Sequence, residues 1–103
     1  WLMARPDPPT AIAAMSDMMA MIAVTELKAR GLKVPQDVSV IGFDGVPEAA
    51  YVDPPLTTIA QPAEEKGKAA VEMLLGTRPL KNLVLPTELI RRASIAPPVT
   101  ATD

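Results

Sequence analysis

Ser16 and Asp17 follow the apolar run Thr10-Ala11-Ile12-Ala13-Ala14-Met15, and Asp44 follows the run Val38-Ser39-Val40-Ile41-Gly42-Phe43. A carboxylate placed there can accept hydrogen bonds from two hydroxyls of a polyol, and such charge-assisted bonds run about twice the strength of neutral ones. The chemistry on offer is the binding of a small polar molecule, with Asp44 as the leading contact and Ser16, Asp17 and Gln61 beside it. Each of these also has a local explanation. Ser16 is a good helix N-cap, and Asp17 suits the positive end of a helix dipole. Asp44 can simply open an Asp-Gly turn, and Gln61 can cap a second helix.

Composition removes most other chemistry. The 103 residues contain no His and no Cys, which excludes thiolate nucleophiles, a Ser-His-Asp relay and ordinary zinc, haem or iron–sulfur sites. No Gly-rich phosphate loop, metal-ligand spacing or carboxylate dyad is present. We therefore expect no cofactor, no metal and no enzyme activity. With 10 basic and 12 acidic side chains the net charge is −2, which argues against a nucleic-acid surface on this segment. Arg91-Arg92 reads as a solvated strand face. The six methionines read as core filler or as an adaptable interface. No apolar stretch approaches membrane-spanning length, and Trp1 to Arg5 has no signal-peptide pattern.

The elements that must hold these side chains are legible from periodicity and from the prolines. Residues 10–15 are almost wholly apolar, as in a strand buried on both faces. Ser16 then caps a helix that runs to Arg30 and stops at Gly31, a C′ residue free to turn left-handed. Its apolar residues occupy more than one side, which fits burial within its own domain or a subunit interface equally well. Residues 38–43 form a second strand rich in β-branched side chains. Strand, helix and strand make a right-handed βαβ unit with parallel strands, so the class is α/β. The segment from Val46 to Tyr51 can form one or two helical turns starting near Pro47. Leu56 to Ala60 reads as a third strand, and a helix with Pro62 at its first position follows, stopping at Gly76. Residues 83–86 and 88–94 are further extended candidates. In an open parallel sheet ligands bind beyond the carboxyl ends of the strands, which puts Ser16, Asp17 and Asp44 on one rim.

The run PTAIAAMSDMMAMIAVTELKARGLKVPQDVSVIGFDGVPEAAYVDPPLTTIAQP strongly resembles the effector-binding core of LacI/GalR family transcription regulators. The likeness continues through EEKGKAAVEMLLG and LPTELIRRASIAPP. Its specificity lies in the order of several motifs: a strand into a Ser-Asp-x-Met-Ala helix start, GLKVPQDVSVIGFD, and PPLTTIAQP. The resemblance implies a type I periplasmic-binding-protein-like fold of two α/β lobes closing on a small effector. It further implies a cytoplasmic homodimer that binds operator DNA through an N-terminal helix-turn-helix headpiece not in this chain.

Carried over by position, Asp44 matches the aspartate that reaches the effector, a sugar or related metabolite. Ser16 stands where the family usually has a pocket asparagine, and Gln61 matches a position near the lobe crossing. The helix from Asp17 and the segment from Val46 to Tyr51 resemble the dimerising surface. This nominates Met18, Met21, Ile22, Val24, Thr25, Val46 and Tyr51 for the dimer interface, Met21 and Val24 foremost.

The expected organisation is a leading linker over 1–9 and a C-terminal-lobe βαβ portion over 10–60. A helix of the N-terminal lobe follows over 61–78, then terminal strands over 79–96 and a tail over 97–103. A sugar-binding protein of a transport system is the alternative, separated from a regulator by whether a signal peptide or a helix-turn-helix lies upstream. A purely structural dimerisation module is a third possibility. The chain reads as about the last third of a regulator, so a sheet edge and apolar helix faces would lie uncovered and favour self-association.

Overall fold

The computed structural model describes residues 2–98; Trp1 of the leading linker and residues 99–103 of the expected tail lie outside the described residues. A 3-10 turn, Leu2–Ala4, precedes β1, Ala11–Ala13. Helix α1, Asp17–Ala29, leads to β2, Ser39–Asp44, and a 3-10 turn at Pro47–Ala50 leads to β3, Thr57–Ala60. Helix α2, Ala63–Leu74, and β4, Glu88–Ile90, complete the described elements. The four strands form one sheet in the order β1-β2-β3-β4. The first three are parallel, with Ile12 opposite Val40 and Gly42 opposite Thr58, and β4 closes the sheet antiparallel to β3. The α/β class and the parallel βαβ unit are as the sequence predicts.

Local chemistry accounts for the helix ends. Ser16 has extended backbone, and its Oγ accepts from the N–H of Met19, which satisfies one of the donors left open by the first turn. Arg30 caps the other end and Gly31 follows at φ +80°, a conformation natural to glycine. Along α1, Ala20, Val24 and Leu27 fall on one face and pack with Val40 of β2 and Val38 just before it, with Val34, Ala49 and Leu56 closing the core. Burying a Val or Leu side chain of this kind contributes roughly 1.5–3 kcal/mol. This face anchors the helix and fixes where Asp17 lies.

The end of the sheet opposite Asp17 and Asp44 is closed by the chain's return. Ser94 is fully buried; its Oγ donates to the carbonyl of Val40 and accepts from the N–H of Thr57, and its carbonyl accepts from the N–H of Val40. Arg92 donates from its backbone N–H to Thr57 Oγ1 and from its guanidinium to the carbonyl of Leu56. Ser39 Oγ exchanges bonds with the backbone of Ala96. The returning segment serves as mortar between β2 and β3.

Several expectations are corrected. Residues 10–15 are not buried on both faces: Ala11, Ala13 and Met15 are exposed, because β1 is the sheet edge and no described element covers its outer side. Pro62 stands at the N-cap of α2 and Ala63 takes the first helical position. Residues 83–86 form no strand; they run beside α2, where Leu83 and Leu85 share a hollow with Ala69, Ala70 and Met73. Of α2 only Ala69 is buried, and the stripe of Ala63, Gly67, Ala70 and Leu74 faces outward. The molecule is elongated as a result, 59 × 24 × 23 Å with a radius of gyration of 17.6 Å. A compact chain of this size would measure about 13 Å.

Candidate functional site

The carboxyl ends of three parallel strands converge, and the group that gathers them is Asp17. Its side chain is 0% exposed. Oδ2 accepts from the backbone N–H groups of Gly45 and Val46, each at 2.8 Å, and Oδ1 accepts from the Thr58 hydroxyl at 2.5 Å. The helix start after β1, the turn after β2 and the body of β3 are thus tied to one carboxylate. Burial removes it from water, and three donors offset that loss. No buried side-chain nitrogen or oxygen among the described residues lacks a partner.

Gly42 makes this approach possible. A Cβ there would lie 2.3 Å from Asp17 Oδ1 and 3.0 Å from Leu56 Cδ2. A glycine inside a strand of Val, Ile and Phe often marks a close backbone contact, and here it admits the start of α1 against β2.

On the rim itself stands Asp44, the last residue of β2, with φ at 134°. A non-glycine residue held there is strained, and such strain is maintained only where the surroundings impose it. The next two N–H groups are the ones fastened to Asp17, so the buried carboxylate dictates the backbone path that presents Asp44. Asp44 Oδ1 accepts from Gln61 Nε2 at 2.7 Å, and the Asp44 carbonyl accepts from the N–H of Gln61 at 2.9 Å. Asp44 Oδ2 carries no hydrogen bond among the described residues and is available as an acceptor.

The four residues proposed from the sequence therefore divide. Asp44 and Gln61 are brought together on the rim, each half-buried. Ser16 lies at the same end of the sheet, where its hydroxyl caps α1. Asp17, expected beside them as a ligand contact, is instead enclosed, with both oxygens occupied by the protein's own donors. A cleft of about 330 Å³ opens next to Gln61, lined by Ala60, Pro62, Glu65, Pro86, Thr87 and Glu88. A larger hollow of about 540 Å³, including Leu2, Met3, Ile12 and Leu27, lies elsewhere, along the uncovered β1 edge. Sequence reasoning missed Thr58, whose hydroxyl is hidden in a strand that reads as β-branched filler. The signal that could have found the Asp17 contact was Gly42.

The nominated interface residues also divide. Met18 is 69% exposed, Ile22 59% and Tyr51 87%, and Thr25 continues the outward stripe of α1. Met21 and Val46 are half-buried against the core. Val24, 6% exposed, packs in the core with Ala20 and Leu27 and, unlike Met18 and Ile22, leaves little surface for a partner.

The fold is an α/β domain with polar side chains on loops after parallel strands, the place where open α/β sheets commonly bind ligands. The family model described as a periplasmic binding protein-like domain matches residues 1–95. The HTH-type transcriptional repressor CytR of Escherichia coli (strain K12) is 51% identical over 74 residues, which is 72% of this chain and 22% of the repressor. Among solved structures, the lac repressor dimer bound to operator and the anti-inducer ONPF superposes with a TM-score of 0.77 at 33% identity, over 84% of this chain and 32% of that one. A LacI family transcriptional regulator from Enterococcus faecium with bound ribose gives 0.76 at 35% identity, over 85% and 35%. The chain belongs to the family of periplasmic-binding-protein-like domains, in the form that LacI/GalR-type regulators carry. It spans about a fifth of the length of the curated relatives it matches.

Proposed function

We propose that this chain is the effector-sensing and dimerising part of a LacI/GalR-type transcription regulator. It binds a sugar or related small polar metabolite at the rim formed by Asp44, Gln61 and Ser16. The observation that carries this reading is Asp44 itself: a strained residue at the carboxyl end of a central strand, with one carboxylate oxygen held by Gln61 and the other open. A hydroxyl-bearing ligand supplies the donor that such an oxygen takes. The regulator with bound ribose supports a sugar as the ligand class.

Residues 10–60 belong to the C-terminal lobe in this reading, and 61–78 carry the chain into the N-terminal lobe. The uncovered apolar stripe on α2 and the elongated outline fit an arm that packs on another body. The protein acts in the cytoplasm, binds operator DNA through a headpiece outside this chain and works by linkage. Effector binding favours one lobe arrangement, and the coupling is no larger than the effector's differential affinity for the two. No helix among the described residues is long and apolar enough to cross a membrane. Dimerisation uses the outward stripe of Met18, Ile22 and Thr25 with Tyr51, and Met21 and Val46 flank it.

Two measurements test this. Calorimetric titration with ribose, sucrose and cellobiose should detect binding, and Asp44→Ala should weaken it by about tenfold or more, the worth of one charge-assisted hydrogen bond. An unchanged affinity would remove Asp44 from the site. In sedimentation, Met18→Ser combined with Ile22→Ser should shift a dimer towards monomer while helical circular dichroism stays the same; a persistent dimer would place the interface elsewhere.

A further inference from the structure

The rim contact made by Gln61 continues one residue further, to a side chain that no sequence pattern singles out. Lys66, near the end of the first turn of α2, donates from Nζ to Gln61 Oε1 at 2.5 Å, and Gln61 donates from Nε2 to Asp44 Oδ1 at 2.7 Å. A lysine ammonium has donors and no acceptor, and an ionised carboxylate has acceptors and no donor. Between these two ends the carboxamide has only one satisfactory orientation: oxygen towards Lys66, nitrogen towards Asp44. We infer that Lys66 is a positioning residue for the binding rim, setting the direction of the hydrogen-bond chain Lys66 to Gln61 to Asp44.

The direction has chemical consequences. With the amide oxygen taken by Lys66, the rim presents Asp44 Oδ2 as its acceptor and the second Nε2 hydrogen of Gln61 as a donor beside it. One hydroxyl can donate to the first while a neighbouring hydroxyl or ring oxygen accepts from the second. A ligand offering acceptors alone leaves the carboxylate unmatched and is rejected. No carboxylate lies within salt-bridge distance of Lys66 among the described residues, so Gln61 is its partner. The chain also spans the step from β3 to α2, joining the arm to the sheet through side chains as well as backbone. The consequence for ligand affinity rests on the sugar-binding reading of the rim; the bond order does not.

The sequence contains three carboxamide side chains, Gln36, Gln61 and Asn82, and Gln36 and Asn82 are exposed. In the 15N–1H NMR spectrum of the protein, they serve as internal references for the Gln61 pair, which Gln61→Ala assigns by deletion. The Nε2 hydrogens of Gln61 should be displaced from those references in the parent and in Lys66→Arg, and should move towards them in Lys66→Met. Titration with ribose should give an affinity about three- to tenfold lower for Lys66→Met and near-parental for Lys66→Arg. If the Gln61 signals move but ribose binds neither protein, ribose is not the ligand and the bond order stands. Identical Gln61 signals in the parent and Lys66→Met overturn the proposal, as does unchanged ribose affinity when the signals have moved.

Discussion

Asp17 and Asp44 are carboxylates at the same end of one sheet, and they do opposite things. The region around Asp17 is closed: three donors from β3 and the turn after β2 reach it, and nothing of it meets solvent. The region around Asp44 is open, with one oxygen engaged by Gln61 and strain in its own backbone. A carboxylate that satisfies its surroundings contributes stability. One that its surroundings hold partly unsatisfied is available to a ligand. The two are coupled in one direction, since Asp17 holds the N–H groups that follow Asp44.

Substitutions can separate the two regions by their effect on stability. The largest effect is expected for Asp17→Ala, which leaves two backbone N–H groups and a hydroxyl without an acceptor. It should cost roughly 3 kcal/mol and lower the thermal midpoint on the order of 15 °C. A midpoint within a few degrees of the parent would mean that the knot holds little together. Gly42→Ala should follow at roughly 2 kcal/mol, because the added methyl meets the backbone of Asp17 at 3.2 Å as well as its carboxylate. Denaturant titration measures it, and a neutral result would show that α1 can lift from β2 without loss. Thr58→Val keeps the shape and removes one donor, for about 1 kcal/mol, with ligand affinity unchanged. If affinity falls with it, the knot and the rim are less separate than their burial implies.

The smallest stability effect, and the most informative, is that of Asp44→Gly. Glycine adopts the positive φ without strain, so the thermal midpoint should stay level or rise by the equivalent of about 1 kcal/mol while binding weakens about tenfold or more. A loss of stability matching Asp17→Ala would assign Asp44 to the knot.

Much of this was readable beforehand. Ser16 announces a helix start, Gly31 its stop, and the β-branched run ending at Phe43 a second strand, because these depend on nearest-neighbour chemistry. The rim positions of Asp44 and Gln61 follow from strand direction. The burial of Asp17 was not readable: an aspartate after an N-cap serine looks like a dipole residue until Thr58, 41 positions later, is known to donate to it. The burial of Val24 was hidden for a related reason. On a helix apolar on several sides, periodicity cannot say which side meets the sheet.

What the sequence by itself determined is the run of elements from β1 to α2, the parallel order forced by a βαβ crossover and the end of the sheet where polar side chains gather. Those follow from backbone stereochemistry and from local capping. The tertiary structure alone decided which of two neighbouring carboxylates is enclosed and which is offered, and which way the Gln61 amide faces. Those outcomes depend on donors brought from residues 45, 46, 58 and 66, and hydrogen bonds of a few ångströms are fixed only when distant parts of the chain have been packed together.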